Sequence, residues 1–320
     1  MGKYVILKTI SNDMGSLLFL YTYGRYISEL MGKKIYLDLS EDKVDATDQT
    51  KDWESDLYKF NINLMGGKIL LNSDKKIGKL LNLKYKIVVK SACILSGERD
   101  YRIAVRRFSK GYMGKLLQKL GLVLNFDRSD KEEFYKNINK GNLLAQGYFQ
   151  MTYFAEKIRD ILWKELTLKN ISDQMIIAEE MITRPKSIAV YLLRDCGSDN
   201  ICDEEYYIRS IKRMAEILGN ESTFYIFSND FDYVKALLEG LKYNIIFVEW
   251  DLEEYEELIL MSKCKHFILS NHSLSWWGQF LSQNKNKIVI SQSNWFNDNQ
   301  YKESIFCNDW IRMESRTSQG

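Results

Sequence analysis

Histidine, proline and paired cysteines are scarce in this sequence. The two histidines, His266 and His272, are too few to predict a zinc site. The five cysteines are odd in number and none forms a Cys-x-x-Cys pair, which predicts reduced thiols in a cytoplasmic protein. With one proline, Pro185, the sequence also shows no low-complexity linker between domains.

An excess of charge of one sign is lacking as well. The formal net charge is +2 over 320 residues, which argues against a dedicated nucleic-acid-binding protein. Residues 4–7 read as the start of a strand, too short and too soon polar for a signal peptide or a membrane span. Apolar residues at 45% and charged residues at 28% predict a globular chain.

The first half opens with a pattern typical of a βαβ unit. Residues 4–10 predict a strand, residues 11–16 a polar turn with a glycine, and residues 34–39 a second strand. Between them, apolar positions at helical spacing predict a helix, in which Gly24 allows close approach to the sheet. Such a unit predicts a parallel sheet. Further strands are predicted over 85–90 and 143–147, and a helix over 152–166.

The second half alternates strands and helices more strictly. Its predicted strands cover residues 188–193, 224–227, 245–248, 267–269 and 287–290. A helix is predicted over 204–218, where Gly219 provides the stop signal. Pro185 cannot continue the helix before it, so the predicted domains are 1–183 and 184–320. The fold class predicted for the second half is α/β, Rossmann-like.

Polar residues follow three of these predicted strands. They are Arg194, then Ser228, Asn229 and Asp230, and then Asn271, His272 and Ser273. In parallel sheets, ligands bind at the carboxyl ends of the strands. A guanidinium suits a phosphate, and a helix starting near Trp276 would add partial positive charge. The alternative is an ordinary strand-to-helix turn in which Trp276 packs in the core.

A basic amphipathic stretch spans residues 99–123. Its cations alternate with apolar residues and are Arg102, Arg106, Arg107, Lys110, Lys115 and Lys119. One interpretation is a solvated helix pair with an apolar inner face. The other is a surface that contacts anionic lipid head groups or an anionic acceptor, which would make the protein peripheral on the inner face of a membrane.

The residues from Leu260 to Gly278, which contain Ser-Asn-His-Ser-Leu-Ser-Trp-Trp-Gly, resemble the signature of bacterial α-1,2-fucosyltransferases of glycosyltransferase family 11. Weaker matches occur in the expected order. They are residues 14–25, 36–38, 147–150, 227–230 and 287–290, followed by Trp295 and Phe296.

The resemblance implies an α/β fold with two Rossmann-like domains facing a cleft, of the GT-B type. It implies an inverting, metal-independent enzyme without a cofactor. Fucose would move from GDP-fucose to a galactoside or similar sugar hydroxyl, in an oligosaccharide or lipid-linked glycan of surface polysaccharide or O-antigen assembly. The family places the donor in the C-terminal domain and the acceptor largely in the N-terminal one.

The family's donor motif, His-x-Arg-Arg-Gly-Asp, is altered in this chain. Tyr191 stands at the His position, Leu193 at the first Arg and Cys196 at the Asp, while Arg194 keeps the second Arg. These changes favour two alternatives beside GDP-fucose transfer. One is the same fold with another nucleotide sugar, and the other is a non-catalytic relative.

The resemblance and the strand ends together assign roles. Arg194 would stabilise the departing diphosphate, and Asp195 is the first choice for the base, ahead of Asp13 and Asp38. Asp195 has the alternative role of a helix cap or surface carboxylate. The predicted donor-binding residues are Gly15, Ser16, Arg194, Ser228, Asn229, Asp230, Asn271, Ser273, Ser275 and Trp276.

Overall fold

The chain has two α/β units. A computed structural model describes residues 3–10, 13–38, 56–70, 74, 76–126, 138–194, 202–295 and 305–314. Contacts between residues group the chain into Met1–Glu165 and Leu166–Gly320. The domain limits 1–183 and 184–320 stay a prediction, since independent folding is what defines a domain.

Within the described residues, the first unit contains a five-stranded parallel sheet. Its strands are β1 (Tyr4–Lys8), β2 (Lys34–Asp38), β3 (Ile69–Leu70), β4 (Leu122–Asn125) and β5 (Leu143–Gly147). Its helices are α1 (Met14–Met31), α2 (Lys79–Ser96), α3 (Tyr101–Phe108), α4 (Gly111–Lys119), α5 (Thr152–Lys157) and α6 (Arg159–Glu165). The strands lie in the order β3-β2-β1-β5-β4.

Helix α1 packs closely on this sheet. The Asp13 side chain caps it by accepting a hydrogen bond from the Ser16 N–H at 2.8 Å. Most of the helix is buried, and a Cβ on Gly24 would lie 2.4 Å from Leu7 Cδ1 on β1. The predicted close approach at Gly24 is therefore confirmed. Gly32, with φ of 61°, ends the helix.

The strand predicted over residues 85–90 is wrong, because these residues belong to α2. Their β-branched and aromatic side chains favour strands by type. The burial pattern instead has helical spacing: Leu81, Tyr85 and Ala92 are buried and pack in one core cluster with residues of β1, β4 and β5. Tertiary packing thus overrides the local preference.

Two further differences concern element length. The helix predicted over 152–166 is two helices, α5 and α6, separated by Ile158 with φ of −126°. That angle lies outside the helical region, so the helical hydrogen-bond ladder breaks there. The short strands β3 and β4 were not predicted, because two and four residues give too little alternation to recognise.

The second unit, in its described residues, contains a six-stranded parallel sheet. Its strands are β6 (Ser187–Tyr191), β7 (Thr223–Phe227), β8 (Asn244–Phe247), β9 (His266–Ile268), β10 (Val289–Gln292) and β11 (Ile311–Met313). Its helices are α7 (Asp173–Ile182), α8 (Glu204–Leu218), α9 (Phe231–Leu238), α10 (Glu254–Lys263) and α11 (Ser273–Leu281). The α/β fold class with two Rossmann-like parallel sheets is confirmed.

The strand order of the second sheet fixes where its ligand-binding edge lies. Read from the β8 end, it runs β8-β7-β6-β9-β10-β11, which is the Rossmann order. The chain reverses direction across the sheet between β6 and β9, and that is the topological switch point. The edge strand β11 is an addition to the five strands predicted for this half.

Helix α8 shows why the second half was easier to predict. Its limits, Glu204 and Leu218, are those predicted, and Gly219 ends it. Asp203 caps it by accepting from the Tyr206 N–H at 2.7 Å. Tyr207, at helical spacing with the rest of the inner face, is buried against the sheet.

Among the helices that the structure describes, none has the length and apolar character needed to cross a membrane.

Candidate active site

Three polar strand ends meet at one edge of the second sheet. β9, β6 and β7 are neighbours and parallel, so the residues that follow them lie at the same edge. Asn271 follows β9, Arg194 follows β6 and Ser228 follows β7. The structure thus brings together the residues that the sequence predicted there, on both sides of the switch point between β6 and β9.

Arg194 links the ends of β6 and β7. Its backbone N–H donates to Asn229 Oδ1 at 3.1 Å, and its Nη1 lies 2.7 Å from Asp230 Oδ2. The guanidinium also stacks over Tyr233, with Cζ 5.1 Å from the ring centroid. The side chain is nevertheless 60% exposed, so it is held in place while a face of it stays accessible to a ligand.

The contacts around Arg194 shift the pKa values of its neighbours Asp230 and Tyr233. The hydrogen bond from Arg194 lowers the pKa of Asp230, with help from the Tyr233 N–H that Asp230 caps. Burial raises the pKa of Tyr233 to about 12, and its hydrogen bond to Glu204 acts in the same direction. Asp230 is therefore ionised and Tyr233 neutral at pH 7. Asp230 holds the guanidinium as an ion pair that an entering anion can share.

The turn between β9 and α11 is fixed by its own side chains. His272 is the N-cap of α11, and its Nδ1 accepts from the Leu274 N–H at 3.3 Å. The Ser275 hydroxyl is 2.9 Å from both the Ser270 and the His272 carbonyl oxygens, to which it can donate. Ser275 is fully buried, so the structure places it as a support for the turn.

Trp276 lies in the core of the second unit. It is fully buried, its ring stacks on Phe280 at 5.1 Å, and its Nε1–H donates to the Ile305 carbonyl at 2.8 Å. It also meets Trp277 edge to face at 5.0 Å. This environment matches the core-packing alternative of the sequence analysis, and direct contact of Trp276 with a donor stays a prediction.

Asn271, Ser273 and His272 complete the β9 end. Asn271 Oδ1 accepts from Cys202 Sγ at 3.5 Å, next to the start of α8. Ser273 is the first residue of α11 and is 6% exposed. The His272 ring lies 5.7 Å from the ring of Tyr191. An imidazole therefore lies beside the position at which the altered donor motif has lost its histidine.

Two buried polar side chains at this edge were missed by the sequence analysis. Ser270 and Gln292 are both fully buried; neither the Ser270 hydroxyl nor either amide atom of Gln292 has a hydrogen-bond partner among the described residues. Ile268 pairs with Ile290, so Ser270 and Gln292 each come two residues after this pair, at the carboxyl ends of β9 and β10. An unpaired buried polar group is destabilising, which favours a role in binding.

The predicted residues of the first unit lie at the start of α1 and at its sheet edge. Gly15 and Ser16 lie in the first turn of α1, and the Ser16 N–H donates a hydrogen bond to the Asp13 carboxylate. Asp38 pairs with Lys8 at 3.5 Å, and both side chains are nearly buried. Asp195, the first choice for the base, lies outside the described residues, as does Cys196.

Metal ligands are not clustered in the part of the chain that the structure describes. No group of three or more His, Cys, Asp or Glu side chains there could hold a metal ion. A metal-independent reaction stays a prediction. The four described cysteines, Cys93, Cys202, Cys264 and Cys307, are in the thiol form.

The family follows from comparison with known proteins. Residues 130–314, more than half of the chain, match the family model described as Glycosyl transferase family 11. The chain therefore belongs to glycosyltransferase family 11 and is a fucosyltransferase-like glycosyltransferase. The resemblance stated from the Ser-Asn-His-Ser-Leu-Ser-Trp-Trp-Gly stretch is confirmed.

Two curated relatives come from Escherichia coli. An alpha-1,2-colitosyltransferase is 29% identical over 206 residues, covering 58% of this chain and 69% of the relative. The O-antigen biosynthesis glycosyltransferase WbnK is 25% identical over 214 residues, covering 60% and 70%. Among solved structures, the fucosyltransferase NodZ from Bradyrhizobium is 10% identical with a TM-score of 0.49, covering 88% of this chain and 94% of NodZ.

Proposed function

We propose that this glycosyltransferase is an inverting α-1,2-fucosyltransferase that moves fucose from GDP-fucose to a galactoside or similar sugar hydroxyl in O-antigen assembly. The observation that carries the proposal is the position of Arg194. It lies at the switch point of a Rossmann sheet, held by Asp230 and Asn229 but with its side chain largely exposed. A guanidinium there suits the diphosphate of a nucleotide sugar.

The mechanism we propose is a direct displacement at the anomeric carbon. The bond to the diphosphate breaks as the acceptor oxygen attacks, so negative charge grows on the leaving group. Arg194 and the N-terminus of α11 stabilise that charge. A carboxylate takes the acceptor proton, with Asp195 preferred to Asp13 and Asp38. No cofactor takes part.

The remaining donor contacts are assigned by position. Ser228, Asn229 and Asp230 follow β7, next to Arg194, and would contact the nucleoside. Asn271 and Ser273 would contact the phosphates from the β9 side. For Ser275 and Trp276 we propose a positioning role, because their polar hydrogens are used by backbone carbonyls. We also keep Gly15 and Ser16, in the first turn of α1, as proposed donor-binding residues.

A second donor is the leading alternative, and two observations favour it. Tyr191 and Leu193 replace two residues of the family's donor motif. One relative is named as a colitosyltransferase, so a nucleotide sugar that carries colitose is the donor to compare. The acceptor would be an oligosaccharide or a lipid-linked glycan, reached in the cytoplasm with the Arg102–Lys119 segment against the membrane.

A panel of donors separates these functions. We expect GDP and GDP-fucose to raise the midpoint of thermal unfolding, because a ligand that binds only the folded state stabilises it. UDP-sugars should leave the midpoint unchanged. A larger shift with the colitose nucleotide sugar than with GDP-fucose would select the alternative donor. The absence of a shift with every nucleotide would favour a non-catalytic relative.

Gln292 provides a test of the edge of the donor site. We propose that its buried amide contacts the donor. Gln292→Leu should then raise the free energy of unfolding of the unliganded protein by about 1 kcal/mol, because it removes an unpaired buried amide. The same change should weaken donor binding several-fold. Urea unfolding and calorimetric titration with GDP-fucose measure the two effects.

The matched control is Gln279→Leu. Gln279 is also buried with an unpartnered side-chain amide nitrogen. Its backbone carbonyl, however, accepts from Lys287, just before β10 begins at the opposite edge of the sheet. This variant should gain stability and keep the donor affinity. Equal affinity in Gln292→Leu and the unaltered protein would remove Gln292 from the donor site.

A further inference from the structure

Helix α2 carries an apolar stripe on its outer face. Leu80, Leu83, Ile87 and Ile94 are each 54–69% exposed. Their spacings of three, four and seven residues place them along one side of the helix. The opposite side of α2 packs into the core of the first unit. This helix is therefore apolar on two faces, of which one is exposed.

Lysines border this stripe. At 100° per residue, Lys79, Lys86 and Lys90 lie on one side of it and Lys84 on the other. The first three are exposed, and Lys84 is half-buried. Aliphatic side chains beside lysines form the pattern of a helix that lies in a lipid interface. The long stems of Lys79, Lys86 and Lys90 let their ammonium groups reach the head groups.

The stripe continues onto α4. Lys84 Nζ donates to the Leu120 carbonyl at 3.2 Å, so the middle of α2 lies beside the end of α4. Leu116 and Leu120 there are themselves partly exposed, and Tyr112 is 81% exposed. We call the outer faces of α2, α3 and α4 the α2–α4 surface.

The net charge of this surface indicates which kind of partner it fits. Residues 79–120 contain eleven Lys or Arg and two Asp or Glu, a net charge of +9, while the whole chain carries +2. The positive charge of the protein is thus concentrated on the three helices that expose aliphatic side chains. Anionic lipid complements both properties at once: its head groups attract the cations, and its acyl region takes the aliphatic side chains.

We propose that the α2–α4 surface docks on an anionic lipid bilayer, with the α2 stripe inserted below the head groups and the cations of α3 and α4 on them. The inference extends the proposed contact of Arg102–Lys119 to α2, which does the inserting. It rests on the proposed function only in its purpose, which is to hold the enzyme where a lipid-linked glycan acceptor lies.

Vesicle co-sedimentation of the full chain tests this docking. The protein should sediment with vesicles that contain phosphatidylglycerol, less with phosphatidylcholine alone, and less again as salt is raised. The double variant Leu83→Ser/Ile87→Ser should lose at least about tenfold in affinity, because it withdraws two aliphatic side chains from the acyl region. Its thermal shift with GDP-fucose should match that of the unaltered protein.

The control is Ile176→Ser/Ile177→Ser on α7 of the second unit, where both side chains are 50% or more exposed. It should sediment like the unaltered protein. The proposal would be overturned if the unaltered protein did not sediment with the vesicles. It would also be overturned if both double variants lost vesicle affinity equally. A dimer that becomes monomeric in Leu83→Ser/Ile87→Ser without vesicle binding would assign the surface to a second copy. Donor shifts report on the proposed function separately.

Discussion

Arg194→Ala is expected to lower the rate of sugar transfer by about 100-fold or more, the range seen when one donor that stabilises developing charge is removed. Arg194 supplies the guanidinium at the three strand ends, and in the proposed mechanism it contacts the diphosphate, on which negative charge grows during the displacement. Its loss also leaves the Asp230 carboxylate as a negative charge at the same place, where it still caps α9 by accepting from the Tyr233 N–H. Initial rates at saturating acceptor measure the effect.

Two variants define what the loss means. Arg194→Lys keeps a positive charge without the planar guanidinium, so its transfer rate should lie between those of the unaltered enzyme and Arg194→Ala. Arg213→Ala removes an exposed arginine that pairs with Glu216 at 3.0 Å on α8, and its rate should be unchanged. A rate for Arg194→Ala within a few-fold of the unaltered enzyme would show that the diphosphate lies elsewhere.

Trp276→Ala is expected to lower the free energy of unfolding by about 3–5 kcal/mol, as for other buried aromatic side chains. The indole is fully buried, stacks on Phe280 and donates to the Ile305 carbonyl. Truncation therefore leaves a cavity and an unpaired buried carbonyl beside the β9–α11 turn. Urea unfolding followed by circular dichroism gives the change.

Trp276→Phe separates packing from hydrogen bonding. It keeps a stacked ring and removes the donor to Ile305, so about 1–2 kcal/mol should be lost. If Trp276→Ala instead unfolded at the urea concentration of the unaltered protein but no longer bound GDP-fucose, the residue would contact the donor directly. The positioning role proposed for Trp276 would then be wrong.

The alternation of strands and helices in the second half could be predicted from the sequence, because the spacing of apolar residues and the signals for helix ends agree there. The Glu204–Leu218 helix has both a capping aspartate and a terminal glycine, and it was predicted with its limits. The strand ends at Arg194, Ser228 and Asn271 could be grouped because a parallel topology places all carboxyl ends at one edge. Which of these strand ends are neighbours then depends only on the order of the strands in the sheet.

Where local preference and packing disagree, the sequence misleads. The β-branched run at 85–90 favours a strand, but the burial of Leu81 and Tyr85 shows that helical packing prevails. That error hid the α2 stripe, so the lipid-contact interpretation was limited to the Arg102–Lys119 segment. Gln292 could not be identified either, since its unpartnered amide depends on the register of β9 and β10.

Calorimetric titration of GDP into the full chain tests the central claim that the β6, β7 and β9 ends bind the nucleotide diphosphate of a sugar donor. The account predicts saturable binding at one site per chain that is strongly weakened in Arg194→Ala and unchanged in Arg213→Ala. Binding of equal strength in all three proteins, or none in the unaltered protein, would contradict it.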